Sequence, residues 1–164
     1  MSGIYIHIPF CKKACHYCDF HFSTSFKYKD QMINSLKHEI LIRNRELKGE
    51  KIESIYFGGG TPSVLNIREI NSLIETVFDN YLVNDSVEIT LEANPDDLTD
   101  EKILELSNSR VNRLSIGVQS FFEKDLKLMN RSHTSNQAMN CIKSAGKYFD
   151  NISVCLLYTS DAAD

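Results

Sequence analysis

Four short stretches of apolar alternation, Ile4–Ile8, Ile52–Gly58, Val87–Ala93 and Leu114–Gln119, are separated by segments of helical periodicity, and a fifth stretch begins at Ile152. No other feature constrains the fold as much. Met32, Ile33, Leu36 and Ile40 share one helical face, and Ile67, Ile70, Leu73, Ile74 and Val77 share another. Asn66 and Glu69 form the pair expected of a capping box at the start of the second helix. Thr99, followed by Asp100 and Glu101, predicts the N-cap of a third helix, and a fourth is expected roughly from Asn136 to Tyr148. Repeated strand-then-helix units of this kind imply an α/β fold with a parallel sheet, either open or rolled into a barrel.

The two faces of the strands carry different chemistry. Ile4, Ile6 and Ile8 oppose Tyr5 and His7; Val87, Ile89 and Leu91 oppose Glu88, Thr90 and Glu92; Leu114, Ile116 and Val118 oppose Arg113, Ser115, Gly117 and Gln119. Parallel strands are ordinarily covered on both sides, and closed barrels fill their interiors mainly with branched apolar residues. A polar inner face repeated on three strands therefore implies a lumen that receives a ligand, with the helices packed on the apolar face.

Ligands of βα folds sit beyond the carboxyl ends of the strands. Four segments fall there: a cysteine loop after the first strand, Gly58-Gly59-Gly60-Thr61-Pro62, Glu92-Ala93-Asn94-Pro95 and Gln119-Ser120. The first is Cys11-Lys-Lys-Ala-Cys15-His-Tyr-Cys18. Three thiolates in one loop suit an iron–sulfur cluster with one iron left open to a non-protein ligand. Zinc on the same thiolates with His7, His16 or His21 is the rival reading, although structural zinc usually takes two separated ligand pairs. A disulfide framework fits poorly with five cysteines and no secretory leader. Cys141 lies in an apolar-periodic segment and is expected to be a buried core thiol. The glycine triplet can bring backbone close to a ligand but is no P-loop, because no Gly-Lys-Ser/Thr follows. Glu92 alone would pass for a solvated strand-end carboxylate, Tyr17 for packing, and Arg131 and His133 for a solvated loop.

A formal charge of −4, with lysines scattered along the chain, leaves no electrostatic footprint for nucleic acid. No apolar run reaches the length of a membrane span, so a cytoplasmic setting with reduced thiols is expected.

Taken in order, Tyr5-Ile-His7-Ile-Pro-Phe-Cys11, Cys15, Cys18-Asp-Phe20, Gly-Gly-Gly-Thr-Pro-Ser, Glu92-Ala-Asn-Pro, Arg113-Leu-Ser-Ile-Gly-Val-Gln119-Ser-Phe and Asn130-Arg131-Ser-His133 resemble the radical S-adenosylmethionine (SAM) proteins related to oxygen-independent coproporphyrinogen III oxidase. The resemblance runs to Val154. It implies a partial, open parallel β/α barrel of the radical SAM type, present here as its N-terminal part. It further implies that Cys11, Cys15 and Cys18 hold a 4Fe–4S cluster whose open iron takes the amino and carboxylate groups of SAM, which an electron then cleaves to a 5′-deoxyadenosyl radical. Position by position, Tyr5, Tyr17, Gly59, Gly60, Thr61, Glu92, Gln119 and Arg131 are the implied cofactor contacts.

Two departures refine the resemblance. The porphyrinogen-oxidising branch has a further cysteine two residues after the triplet, where this chain has Phe20, as in the branch of haem chaperones. Haem is then the expected cargo, with a recipient haem protein and an electron-donor protein as partners; the alternatives are the oxidase, acting on a porphyrinogen, and an inactive cluster-binding fragment. The family's Val-Asp-Leu-Ile-Tyr-Gly is replaced by Val154-Cys155-Leu-Leu-Tyr158-Thr159, so an aspartate expected at the cofactor is absent. Residues 1–154 are accordingly expected to be the N-terminal portion of the core domain. Residues 155–164 resemble translated sequencing adapter, a non-native tail, and the remaining barrel and C-terminal domain are expected to lie outside this sequence.

Overall fold

The computed structural model describes residues 2–47 and 49–157. Five strands, β1 (Ser2–Ile8), β2 (Ile52–Gly59), β3 (Val83–Ala93), β4 (Arg113–Gln119) and β5 (Ile152–Leu156), form one sheet in the order β1-β2-β3-β4-β5, every neighbouring pair parallel. The helices are α1 (Lys29–Ile42), α2 (Ile67–Asn80), α3 (Asp100–Ser107), α4 (Glu123–Leu128) and α5 (Ser135–Ala145). β1 and β5 are the two edges, so among the described residues the sheet is open rather than closed. Cys155 and Leu156 belong to β5, whereas residues 158–164 of the expected tail lie outside the described residues.

The alternation read from the sequence is what builds the core. Ile6 and Ile8 of β1, Ile55 and Phe57 of β2, Ile89 and Leu91 of β3, and Leu114, Ile116 and Val118 of β4 are all buried. Against them pack Ile33 and Ile40 of α1, Ile70, Leu73, Ile74 and Val77 of α2, Ile103 and Leu106 of α3, and Ala138, Cys141 and Ala145 of α5. The opposite face stays polar: Tyr5 pairs with Tyr56, Thr90 with Arg113, and Glu92 with Ser115. Arg113 spans Thr90 and Ser153, donating to each hydroxyl at 3.1 Å.

Three elements differ from expectation. β3 begins at Val83 because its pairing with β2 shifts register between Ile52 and Ser54, a bulge whose polar residues Asn84, Asp85 and Ser86 hide the strand. α4 has six residues and one buried side chain, Leu126, too little for a helical period. α5 stops at Ala145, where Gly146 caps it, short of Tyr148.

The capping box on α2 forms as expected: Asn66 Oδ1 accepts from the Glu69 amide at 2.9 Å, and Glu69 Oε2 accepts from the Asn66 amide at 2.7 Å. Glu69 also meets Lys29 at 2.6 Å, tying α2 to α1. Asn66→Ala is expected to cost about 1 kcal/mol, lowering the calorimetric unfolding midpoint by roughly 2–4 °C. Asn66→Ser should recover most of it. An unchanged midpoint in the alanine variant would show that the cap contributes nothing.

Candidate functional site

β1 delivers the chain to the carboxyl rim, where Phe10 bridges to Ser23 and the cysteine loop closes on itself. Cys11 N donates to Ser23 O at 3.0 Å, Ser23 N to Pro9 O at 2.7 Å, and Cys18 N to Cys15 O at 3.2 Å. Distant segments clip the same loop from both sides. His16 N donates to Met129 O at 3.1 Å, and Asn130 Nδ2 donates to Ala14 O at 2.8 Å. On the other flank Lys12 pairs with Asp96, at 3.0 Å, and with Asp97. Burial opposes charge on Lys12, but its bonds to the two aspartates outweigh this and hold its pKa above the ordinary lysine value. Burial likewise pushes Asp96 up, yet the Ser132 hydroxyl and Lys12 together hold it below the usual carboxylate range.

A cavity of about 250 Å³ opens at this rim. Cys11, Cys15 and Cys18 line it together with Tyr17, Gly59, Gly60, Thr61, Glu92, Gln119 and Arg131. Three cysteines and seven of the eight expected cofactor contacts thus face one space. Tyr5 is the exception. It stacks on Tyr56, ring centres 6.1 Å apart, on the lumen face below the rim and is 57% exposed. Its hydroxyl lies 3.0 Å from His7 Nδ1.

Glu92 is not a solvated carboxylate. Its Oε1 accepts from the Tyr56 hydroxyl at 2.7 Å and its Oε2 from the Gly59 amide at 3.2 Å, so it fixes the glycine turn while facing the cavity. Gly59 has φ 110°, a conformation that side chains resist, and a Cβ there would meet the His7 ring at 2.6 Å. Thr61 donates its hydroxyl to Cys11 Sγ at 3.3 Å. Burial raises Tyr17 and Tyr56 to about 12, and the charge of Glu92 adds to the effect at Tyr56, so both phenols remain protonated at ordinary pH.

Arg131 enters the cavity instead of dissolving in a loop. Nη1 donates to Cys15 Sγ at 3.3 Å and to the Tyr17 hydroxyl at 3.1 Å; Nη2 donates to Asn94 Oδ1 at 2.8 Å and to Gly117 O at 2.6 Å. Its Nε is buried without a partner among the described residues. His133, expected in the same solvated connection, is 3% exposed. Asn94, Ser115 and Ser132 also line the cavity although none is among the implied cofactor contacts; Asn94 stands inside the Glu-Ala-Asn-Pro motif at the rim and Ser115 on the polar face of β4.

Two of the three histidines of the zinc reading have partners elsewhere, and the third stands in solvent. His16 Nδ1 bonds Leu128 O at 2.8 Å, His7 covers Gly59, and His21 is exposed. Among the described residues no three His, Cys, Asp or Glu side chains gather as ligands of a single metal ion. Cys11, Cys15 and Cys18 of one loop line the cavity, with Cys155 of β5 a further thiol there, and thiolates are the ligands that an iron–sulfur cluster takes. Burial raises the Cys11 thiol, and the neighbouring Cys18 and Cys15 add to this against Thr61 and Arg131, so metal binding must displace its proton. The residues present therefore fit an iron–sulfur cluster. No helix among the described residues is long and apolar enough to cross a membrane.

A family model for the radical SAM superfamily matches residues 5–160. The chain is 39% identical over 160 residues to the haem chaperone HemW of Lactococcus lactis, covering 96% of this chain and 41% of the relative. It is 37% identical over 163 residues to HemW of Buchnera aphidicola, covering 95% and 42%. Among solved structures, the radical SAM enzyme coproporphyrinogen III oxidase (HemN) of Escherichia coli superposes with a TM-score of 0.87 at 30% identity, over 95% of this chain and 37% of that one. The chain thus spans about two fifths of the length of these relatives.

Proposed function

The chain belongs to the radical SAM superfamily, and on that premise we propose that it is part of the core domain of a haem chaperone, which binds haem and delivers it to a recipient haem protein. Cys11, Cys15 and Cys18 hold a 4Fe–4S cluster in this reading. When bound, the cluster and SAM supply the one-electron chemistry, and the protein's task is to bind, orient and exclude water. Glu92 offers a carboxylate to an ammonium, Arg131 a guanidinium to a carboxylate, and the Gly59–Gly60 backbone a close approach. Tyr17 presents a protonated phenol beside Arg131.

Phe20 carries the choice of chaperone over oxidase. It lines the cavity mouth and is 74% exposed, a large apolar ring at the position where the resemblance to the oxidising branch calls for a thiol. An aromatic surface there suits a flat apolar macrocycle, and no cysteine stands two residues after the triplet.

The experiment is run on the protein carried to the full length of its relatives, under anaerobic reducing conditions with an active oxidase as control. Stoichiometric haem binding is expected, with no conversion of coproporphyrinogen III to protoporphyrinogen IX. Robust decarboxylation would overturn the chaperone reading in favour of the oxidase. Absence of both activities in a cluster-loaded protein would leave neither function standing.

A further inference from the structure

His133 is buried in a connection made of Asn130, Arg131, Ser132 and Thr134, a composition that ordinarily stays in water. Its Nε2 lies 3.0 Å from the carbonyl oxygen of Val118. A carbonyl only accepts, so Nε2 carries the proton and Nδ1 presents a lone pair. That Nδ1 is buried and meets no hydrogen-bond partner among the described residues. Leaving a buried acceptor unpaired is destabilising, so the imidazole is not explained by stability alone.

The carbonyl it holds marks a strained point. Val118 precedes Gln119, which has φ 70°, a left-handed conformation uncommon outside glycine. Here the pairing of β4 with β5 skips from Gly117 to Gln119, and Ser120 N turns back to donate to Val118 O at 2.9 Å. The outcome of the turn is visible at Gly117. A Cβ built there would lie 3.2 Å from Gln119 Nε2, 3.6 Å from Arg131 Nη2 and 3.6 Å from Asn94 Oδ1. Three cavity-lining side chains therefore converge over one residue, and the strand end that His133 grips sets the direction of the first. Strained backbone at a site persists only where its surroundings over-determine it.

We propose that His133 is a positioning residue for the cofactor cavity: by donating to Val118 O it locks the Val118–Gln119 strand end, so that Gln119 is presented beside Arg131 to the carboxylate of a zwitterionic, amino-acid-like ligand. This rests on the reading of the cavity as a SAM site. Arg131 has its own anchors on Cys15, Tyr17, Asn94 and Gly117, so the effect of His133 passes through Gln119. The ring acts in its neutral form. Burial first, and then the neighbouring Arg131, hold its pKa below the ordinary histidine value, against the Val118 carbonyl, Asp96 and Glu123.

The test separates the two ring nitrogens. In His133→Gln the amide nitrogen overlays Nε2 and can still reach Val118 O, whereas in His133→Asn it overlays Nδ1 and cannot. Binding of radiolabelled SAM to cluster-reconstituted chain is measured by equilibrium dialysis, with iron content and unfolding midpoint recorded for each variant. H133Q is expected to bind within about threefold of the unaltered chain, and H133N about tenfold more weakly at equal iron content, the scale of one lost hydrogen bond. H133L, which fills the ring's volume without a donor, replaces H133N if the latter does not load its cluster. In a Gln119→Ala background, H133N should weaken binding by less than about twofold further. Equal binding by H133N and the unaltered chain, or effects of the two substitutions that multiply, would overturn the proposal. If the unaltered, cluster-loaded chain binds no SAM, the reading of the cavity itself fails.

Discussion

Anaerobic reconstitution with iron and sulfide is expected to give about one 4Fe–4S cluster per chain, and alanine at Cys11, Cys15 or Cys18 to give essentially none. The loop that carries these residues is held by bonds that involve no sulfur: Cys11 N to Ser23 O, Ser23 N to Pro9 O, His16 N to Met129 O and Asn130 to Ala14 O. Removing one Sγ therefore deletes a ligand without releasing the loop, and the folded baseline should persist. A two-thiolate site leaves two irons exposed, so loss is expected to be nearly complete at each position rather than graded. Cys141→Ala is the control. That thiol is buried in α5, donates to Ala138 O at 3.2 Å and is raised to about 11 by its burial, which keeps it protonated and away from metal. Iron analysis and the charge-transfer absorption of the cluster decide the matter: full loading in any of the three loop variants, or exclusive zinc binding by the unaltered chain, would remove the iron–sulfur assignment.

The order of strands and helices was legible because each strand opposes branched apolar residues to polar ones. In β4, Leu114, Ile116 and Val118 go to the core while Arg113, Gly117 and Gln119 turn to the lumen side. The convergence of the rim was legible for the same reason, since a parallel sheet places all strand ends together. What escaped were interactions between residues far apart in sequence. Lys12 sits between two cysteines with nothing nearby to hold it, and its partners Asp96 and Asp97 arrive from the loop after β3. By their polar neighbours alone Arg131 and His133 read as solvated, and only the family resemblance put Arg131 at the cofactor, yet backbone carbonyls of β4 at Gly117 and Val118 accept their donors. Local composition records a residue's own polarity but not the distant backbone carbonyl that accepts from it. Tyr5 shows the reverse case: its period-two position correctly faces the lumen, but strand position alone does not say how far below the rim a side chain lies.

Gly60→Ala is expected to damage both fold and cluster site, because this glycine, the first residue after β2, packs against the start of the cysteine loop. A Cβ at Gly60 would stand 2.8 Å from Phe10 O, 3.0 Å from Ile8 O and 3.0 Å from Cys11 Sγ. Neither carbonyl can withdraw freely. Ile8 O accepts from Gly60 N and Phe10 O accepts from Thr61 N, each at 2.8 Å, so moving either breaks the bond that sets the approach. Thr61 then carries its hydroxyl away from Cys11, and the displaced sulfur no longer faces the cavity in register with Cys15 and Cys18. Overpacking of this kind costs about 1–3 kcal/mol, which for a chain of this size lowers the unfolding midpoint by roughly 5 °C. Cluster loading should fall by more than the stability change alone would cause, since the methyl lies against a ligand atom. Gly146→Ala supplies the comparison: it caps α5 in a helical conformation, and an added Cβ would come no closer than 3.4 Å to Ile142 O. Wild-type iron content and an unshifted midpoint in Gly60→Ala would mean that the β2 turn and the cysteine loop are independent, and that the glycine triplet serves only as a turn.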